Sequence, residues 1–289
     1  MVSHDIRSNK AHPVGRPLAM VIGGSGGLGG TCVRRLAQRN RLLLVDADAA
    51  RAVTEAERLS REGYEVTSFT CDITKPDQVE ALAALAGEHG GLNILAHVAG
   101  LSPSMADWRT IMGVNLVGAA LVERALRPQM LAGGAAVFIS SLGGHIVPAD
   151  PALLPVLDAP LEDEFLERLE AVAGAALNPS TAYAWSKLGL MRMCQRRAGA
   201  WGQAGVRINA LSPGLIASPM GEREFVADQR KAQLLARIPL GRQGTMAEVA
   251  DAVEFLCSDR ASYINGTDLL MDGGVAAALR FGTYSYAIT

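Results

Sequence analysis

Short apolar runs alternate with longer stretches of mixed polarity along most of this chain. The runs at 18–22, 42–45, 65–69, 94–98, 136–139, 207–211 and 268–271 read as strands of four or five residues each. Several are continuously apolar rather than alternating, as in Leu42-Leu43-Leu44-Val45 and Ala136-Val137-Phe138-Ile139. That pattern belongs to strands buried on both faces of a parallel sheet. Between them the spacing predicts helices over 31–39, 48–61, 74–89, 108–131, 180–201 and 247–257. Thr74 is placed to cap one helix, with Pro76 in its first turn, and Ser180 is placed to cap another after Asn178-Pro179. The alternation predicts an α/β fold, a doubly wound parallel sheet of seven strands with helices on both faces.

One segment breaks the alternation. Between Ser141 and Tyr183 lie about forty residues with no convincing strand. Leu161, Phe165, Leu169 and Val172 recur there at helical spacing among acidic residues, which predicts an amphipathic helix with an acidic outer face. Stretches this long are usually functional or carry structure of their own. The segment, about 143–179, is therefore read as a helical insertion beside the active site, within one domain spanning 17–282. Residues 1–16 are polar and expected to form a flexible N-terminal extension, and 283–289 a C-terminal tail.

Composition narrows the function. No apolar stretch approaches the ~20 residues of a membrane span, and the start lacks the apolar core of a signal peptide, so a cytoplasmic protein is expected. A net charge of −2 without a block of five like charges argues against nucleic acid as the main partner. Cys32, Cys71, Cys194 and Cys257 are far apart and form no C-x-x-C pair, so reduced structural thiols and no metal site are expected.

The densest chemical signal is the turn Gly23-Gly24-Ser25-Gly26-Gly27-Leu28-Gly29, between the first strand and the first helix. A glycine-rich turn there lets backbone approach a pyrophosphate, whose charge rests on the helix N-terminus. Gly24, Gly26 and Gly29 read G-x-G-x-x-G, while Gly23, Gly27 and Gly29 read G-x-x-x-G-x-G, and both registers fit. Asp46 ends the next apolar run, about where a carboxylate meets an adenosine ribose. Together these predict a dinucleotide-binding Rossmann fold.

Tyr183 and Lys187 stand four apart, hence on one helix face. A close ammonium favours phenolate and is expected to lower a tyrosine pKa by ~1–3 units, which would let the pair exchange a proton with an alcohol or carbonyl oxygen. Ser140 and Ser141 end a strand at the carboxyl edge, where ligands sit in open α/β sheets. Asn115 lies in an otherwise apolar helical run, where a buried amide must find partners.

On these residues the chain resembles the short-chain dehydrogenase/reductase family over about 17–274. The family's T-G-x-x-x-G-x-G turn is similar to Ile22 to Gly29, with Ile22 in place of threonine. Asp72-Ile73 resembles the segment that contacts adenine. His97-Val98-Ala99-Gly100 stands where the family has N-N-A-G and keeps only Ala99 and Gly100. Pro213-Gly214-Leu215-Ile216-Ala217-Ser218 resembles the segment that holds the nicotinamide carboxamide, and Met271-Asp272-Gly273-Gly274 the family's V-D-G-G ending. The resemblance implies a catalytic tetrad of Asn115, Ser141, Tyr183 and Lys187, with Ser141 chosen as the second serine of the pair. In the family's mechanism Tyr183 exchanges the hydroxyl proton and Ser141 stabilises the oxygen. Lys187 holds the nicotinamide ribose, and Asn115 supports a water relay. The implied cofactor contacts are Gly23, Ser25, Gly26, Gly27, Leu28, Gly29, Asp46, Asp72, Ile73, Ala99, Gly100, Tyr183, Lys187, Pro213, Gly214, Ile216 and Ser218.

Asp46 followed by Ala47 favours NAD over NADP, because a carboxylate repels the extra phosphate; Arg51 reads as a surface residue of the next helix. Apolar residues after Ser218, and Ile146, Val147, Leu153, Leu154, Val156 and Leu157 of the insertion, suit a bulky, weakly polar alcohol or ketone. The same insertion residues equally suit burial against the domain itself. The long insertion and the run Ala198 to Arg207 resemble bacterial 3α-hydroxysteroid dehydrogenase/carbonyl reductases. The resemblance also implies a homodimer or homotetramer. Two further readings stay open: a 3-oxoacyl thioester reductase, with Arg192, Arg196 and Arg197 as its basic patch, and a non-catalytic NAD-sensing module.

Overall fold

The computed structural model describes residues 15–148, 150–228 and 230–282. The expected C-terminal tail and nearly all of the N-terminal extension lie outside them. The chain begins β1 (Leu18–Ile22), α1 (Gly27–Leu36), β2 (Arg41–Asp46), α2 (Ala49–Arg61), β3 (Val66–Thr70), α3 (Pro76–Glu88) and β4 (Leu92–His97). Next come α4 (Trp108–Met112), a π-helical turn (Gly113–Gly118), α5 (Ala119–Leu126) and β5 (Met130–Ile139). The insertion supplies α6 (Gly143–Ile146), α7 (Leu153–Leu157) and α8 (Phe165–Ala173), and then α9 (Pro179–Gln203) leads into β6 (Arg207–Pro213). The last part holds β7 (Ile216–Ala217), α10 (Pro219–Ala227), α11 (Arg230–Leu235), β8 (Gly244–Thr245), α12 (Met246–Cys257), β9 (Asp268–Met271) and α13 (Val275–Phe281).

Seven strands form one parallel sheet in the order β3-β2-β1-β4-β5-β6-β9. Successive strand residues point to opposite faces, and the two cores follow from that. Met20, Ile22, Leu43 and Val45 face a core shared with α3, α5 and α9. Ala19, Val21, Leu42 and Leu44 face another shared with α1, α2 and α12. This is why the central strands are apolar at every position. The chain order reverses between β1 and β4, and that crevice at the strands' carboxyl ends is where such sheets take ligands.

Four local expectations need correction. The helix read over 108–131 ends at Leu126; Pro128 sits in a 3-10 turn, and Met130 and Leu131 begin β5. Thr74 does not cap α3, because its hydroxyl donates to Asp72 Oδ1 at 2.7 Å and the cap position is Lys75. Asn178, not Ser180, caps α9, its amide oxygen accepting from the Ser180 and Thr181 N–H groups. The amphipathic helix of the insertion spans Phe165–Ala173, leaving Leu161 outside it.

The insertion is tied down on its inner side. Leu153, Val156, Leu157, Phe165 and Leu169 are buried in the α9-side core. Asp158 receives a bidentate bond from Arg192 at 2.7 and 2.6 Å and lies 3.3 Å from Arg196. Trp185 Nε1 donates to the Pro148 carbonyl at 3.0 Å, and Arg109 pairs with Glu167 and Glu170. No helix among the described residues is long and apolar enough to cross a membrane.

Candidate active site

A cavity of about 970 Å³ opens along the carboxyl edge of the sheet, from Asp46 at one end to the α10–α11 segment at the other. Its floor is the glycine turn. Gly23 has φ +81°, which disfavours other residues, and a Cβ on Gly29 would lie 1.8 Å from the Gly23 carbonyl oxygen. The helix start is thus pressed against the turn with no room for a side chain. Gly26, the N-cap of α1, carries no side chain to cap the first N–H groups, which leaves them for an anion. This is a cradle of the shape and chemistry that a dinucleotide pyrophosphate requires.

Asp46 stands at one end of the cavity. Its Oδ2 accepts from the Ser25 N–H at 3.0 Å and from the Ser25 hydroxyl at 2.6 Å, and its Oδ1 accepts from the Asp48 N–H at 3.2 Å. Ser25 therefore sits beside the cavity, holding Asp46, rather than in its lining. Arg51 is exposed on α2, as expected, and it also lines the cavity next to Asp46 and donates to the Ser25 carbonyl at 3.0 Å. Asp72 and Ile73 line the same end, with Asp72 Oδ1 accepting from the Thr74 N–H and hydroxyl.

At the other end α9 presents Tyr183 and Lys187 on its inner face. The Lys187 ammonium lies 5.7 Å from the centre of the Tyr183 ring and donates to the Ile139 carbonyl at 2.9 Å. The Ser141 hydroxyl is hydrogen-bonded to the Tyr183 phenol and accepts from the Gly143 N–H at 3.2 Å. Ser140, by contrast, is buried and donates to the Lys187 carbonyl at 2.8 Å, so it braces α9 against β5. Pro213, Gly214, Ile216 and Ser218 form the wall after β6, and Ser218 Oγ caps α10 by accepting from the Gly221 N–H at 3.0 Å.

The electrostatics depart from expectation. Burial pushes the Tyr183 phenol above its ordinary pKa, with the Ser141 hydrogen bond opposing and the Glu224 charge adding. Burial also brings Lys187 from 10.5 down to about 8. The amine therefore loses its proton before the phenol does, and the expected lowering of the tyrosine is absent.

Asn115 does not reach the cavity. It sits in the π-helical turn, fully buried, accepting from the Leu101 N–H at 2.7 Å and donating to the Leu101 carbonyl at 2.9 Å. Ala99 and Gly100 do line the cavity, and a Cβ on Gly100 would lie 3.2 Å from Lys187 Nζ and 3.3 Å from Asn115 Oδ1. Behind them His97 is buried and stacked 5.1 Å from the Phe138 ring, with no hydrogen-bond partner for either nitrogen among the described residues. Burial, with the Lys187 charge adding, pulls its pKa down to about 3, so the ring is neutral. Of the insertion, Ile146 and Val147 line the cavity, while Leu153, Val156 and Leu157 are core. Sequence reasoning missed Ser104 and Glu224, which meet across the cavity mouth through the Glu224 carboxylate. No local pattern marks either one.

The comparisons agree with this architecture. Residues 17–150 match the short chain dehydrogenase family and residues 169–276 the enoyl-(acyl carrier protein) reductase family. A short-chain dehydrogenase/reductase of Alternaria brassicicola, bsc3, is 32% identical over 92% of this chain and 98% of its own. D-threitol dehydrogenase of Mycolicibacterium smegmatis is 32% identical over 89% of this chain and 92% of its own. The solved 3-alpha-hydroxysteroid dehydrogenase of Pseudomonas sp. B-0831, complexed with NADH, superposes with a TM-score of 0.74 at 25% identity, covering 92% of this chain and 100% of that one. With the parallel sheet, the glycine cradle and the Tyr183–Lys187 face on one cavity, the chain belongs to the short-chain dehydrogenase/reductase family.

Proposed function

We propose that the protein is an NAD-dependent oxidoreductase acting on a bulky, largely apolar secondary alcohol or the corresponding ketone, such as a hydroxysteroid. The observation that carries this reading is the meeting of Tyr183, Ser141 and Lys187 on one wall of the cavity that begins at the glycine turn. A bound nicotinamide supplies the hydride acceptor or donor. Tyr183 exchanges the proton of the carbinol oxygen, and Ser141 holds that oxygen in place. Lys187 would hold the cofactor ribose, with its ammonium 5.7 Å from the centre of the Tyr183 ring. Asn115, bonded to Leu101 and close with Lys187 to Gly100, would support a water relay. The glycine turn, Ala99, Gly100 and the 213–218 wall hold the dinucleotide.

Leu101, Leu142, Ile146, Val147, Met220 and Phe225 give the substrate end an apolar lining, which favours a hydrophobic ring system over a small polar one. The steroid activity named for the Pseudomonas neighbour supports the same class. NAD is favoured by Asp46, whose carboxylate lines this end of the cavity and would repel a 2′-phosphate bound beside it. NADP stays a second reading because Arg51 lines the cavity beside it. The thioester reading loses ground: Arg192 and Arg196 are both held by Asp158, and Arg197 pairs with Glu123. A cytoplasmic homodimer or homotetramer is the proposed setting.

An NADH-consumption screen over steroid ketones, quinones, aromatic aldehydes and acetoacetyl thioesters tests the function. Tyr183→Phe should abolish turnover while NADH still binds; equal rates in both proteins would reject the assignment and leave the NAD-sensing reading. Asp46→Ala should relax the preference against NADPH, and Arg51→Ala should weaken residual NADPH use. An unchanged cofactor ratio in Asp46→Ala overturns the role given to Asp46.

A further inference from the structure

A carboxylate reaches the substrate end of the cavity from α10. Glu224 lines the same cavity as Tyr183 and Ser141, about one helical turn from Met220. Its Oε1 accepts from the Ser104 N–H at 3.2 Å and from the Ser104 hydroxyl, so the side chain spans the mouth between α10 and the loop after β4. Its other oxygen has no hydrogen-bond partner among the described residues. The surroundings are mostly apolar: Leu101, Met105, Leu142, Val147, Met220 and Phe225 share the cavity.

The cations nearby do not cancel this charge at the reacting centre. Arg230 is held by Asp228 at 2.9 Å, and the Lys231 charge also acts on Asp228. Arg223, though exposed on α10, lines the same cavity, as do Arg230 and Lys231; Arg51 lies at the opposite end beside Asp46, and Lys187 donates to the Ile139 carbonyl. Among the described residues, Glu224 is the acid whose charge acts on the Tyr183 phenol.

We propose that Glu224 determines specificity: its carboxylate accepts a hydrogen bond from a second hydroxyl of the substrate, remote from the reacting carbinol, and excludes substrates bearing a carboxylate there. This rests on the oxidoreductase reading and narrows it from apolar alcohols to neutral ones with a distant hydroxyl. A carboxylate with one oxygen left open to the cavity rewards a donor and stays unpaired when the donor is missing. A facing carboxylate meets like-charge repulsion from it.

The test uses three probes on one ring frame: cyclohexanol, cyclohexane-1,4-diol and 4-hydroxycyclohexanecarboxylate. Binding is read from the fluorescence of NADH held by the full chain, and turnover from NADH formation. Wild type should prefer the diol to the acid by roughly tenfold or more in both readouts, with cyclohexanol between. In Glu224→Gln, which keeps an acceptor for Ser104 but removes the charge, the gap should fall below about threefold because the acid improves. Ser104→Ala, which removes the hydroxyl bond to Glu224 but keeps the backbone bond and the charge, should preserve the gap. Selective binding without turnover would count against the oxidoreductase reading and leave the role of Glu224 standing. The proposal is overturned if wild type does not separate the three probes, including by binding none of them. It is equally overturned if Glu224→Gln shifts all three alike, or if Ser104→Ala abolishes the gap.

Discussion

Holding Lys187 inside the protein has a measurable cost. The residue is 4% exposed, and burial moves its pKa from 10.5 to about 8. The difference, 10.5 − 8 = 2.5, at about 1.36 kcal/mol per unit, makes protonating this amine about 3 kcal/mol harder in the fold than in the unfolded chain. Between these two values the unfolded chain binds more protons than the folded one. Stability from this site is therefore lowest below about pH 8 and rises as pH climbs towards 10.5. Lys187→Met removes the titration and keeps a chain of similar length. Below pH 8 the cofactor-free variant should exceed wild type by about 3 kcal/mol, less about 1 kcal/mol for the lost bond to the Ile139 carbonyl. That advantage should shrink by about 3 kcal/mol as pH rises through the window. Urea melts of both proteins at matched pH give the comparison, because subtracting one from the other cancels the titrating groups they share. The variant should also lose turnover. A stability difference that stays constant across the window would falsify the argument.

Other substitutions probe the frame around the site. Gly29→Ala would place a Cβ 1.8 Å from the Gly23 carbonyl oxygen, so it should cost about 1–3 kcal/mol and weaken NADH binding at least about tenfold; unchanged affinity by fluorescence titration would count against the cradle. Asn115→Ala leaves the Leu101 N–H and carbonyl without their partner, and denaturant melts should register a loss of about 2–4 kcal/mol. Asp158→Ala frees Arg192 and Arg196, which are partly exposed, so the equilibrium effect should stay near 1 kcal/mol. Limited proteolysis within 143–179 should nonetheless quicken several-fold, and identical digestion rates would show that the apolar side alone holds the insertion.

The central strands were legible because burial on both faces leaves an unbroken apolar run, as at 42–45, that a polar register cannot imitate. Met130 and Leu131 misled because two apolar residues after a helix look like more helix; only Pro128 marks the end, and the pairing of Met130 with Leu92 is a long-range fact. The glycine turn and the Tyr183–Lys187 spacing could be read because each is a local device, complete within a few residues. Glu224 and Ser104 could not, being 120 residues apart and meeting only when α10 folds over the cavity. The direction of the Tyr183 pKa shift escapes the sequence for a related reason. Spacing reveals that an ammonium is near, but how much water has been taken from both groups depends on walls contributed by distant segments. Of the insertion's apolar residues, sequence could not say which face the cavity and which the core, because a helix only five residues long, Leu153–Leu157, carries too little pattern to orient itself.

The wide turn at Gly113–Gly118 has a consequence for how this segment can change over time. A π-type turn carries one residue more than an α-helical path between the same end points. Deleting any one of those six positions would let the backbone settle into an ordinary helix, yet it would swing the residues on one side by about 100° relative to the other. Either Asn115 would lose Leu101, or α5 would present the wrong face to the sheet. The number of residues here is thus under tighter constraint than their identities, and length variation near the site should be confined to the loops on either side.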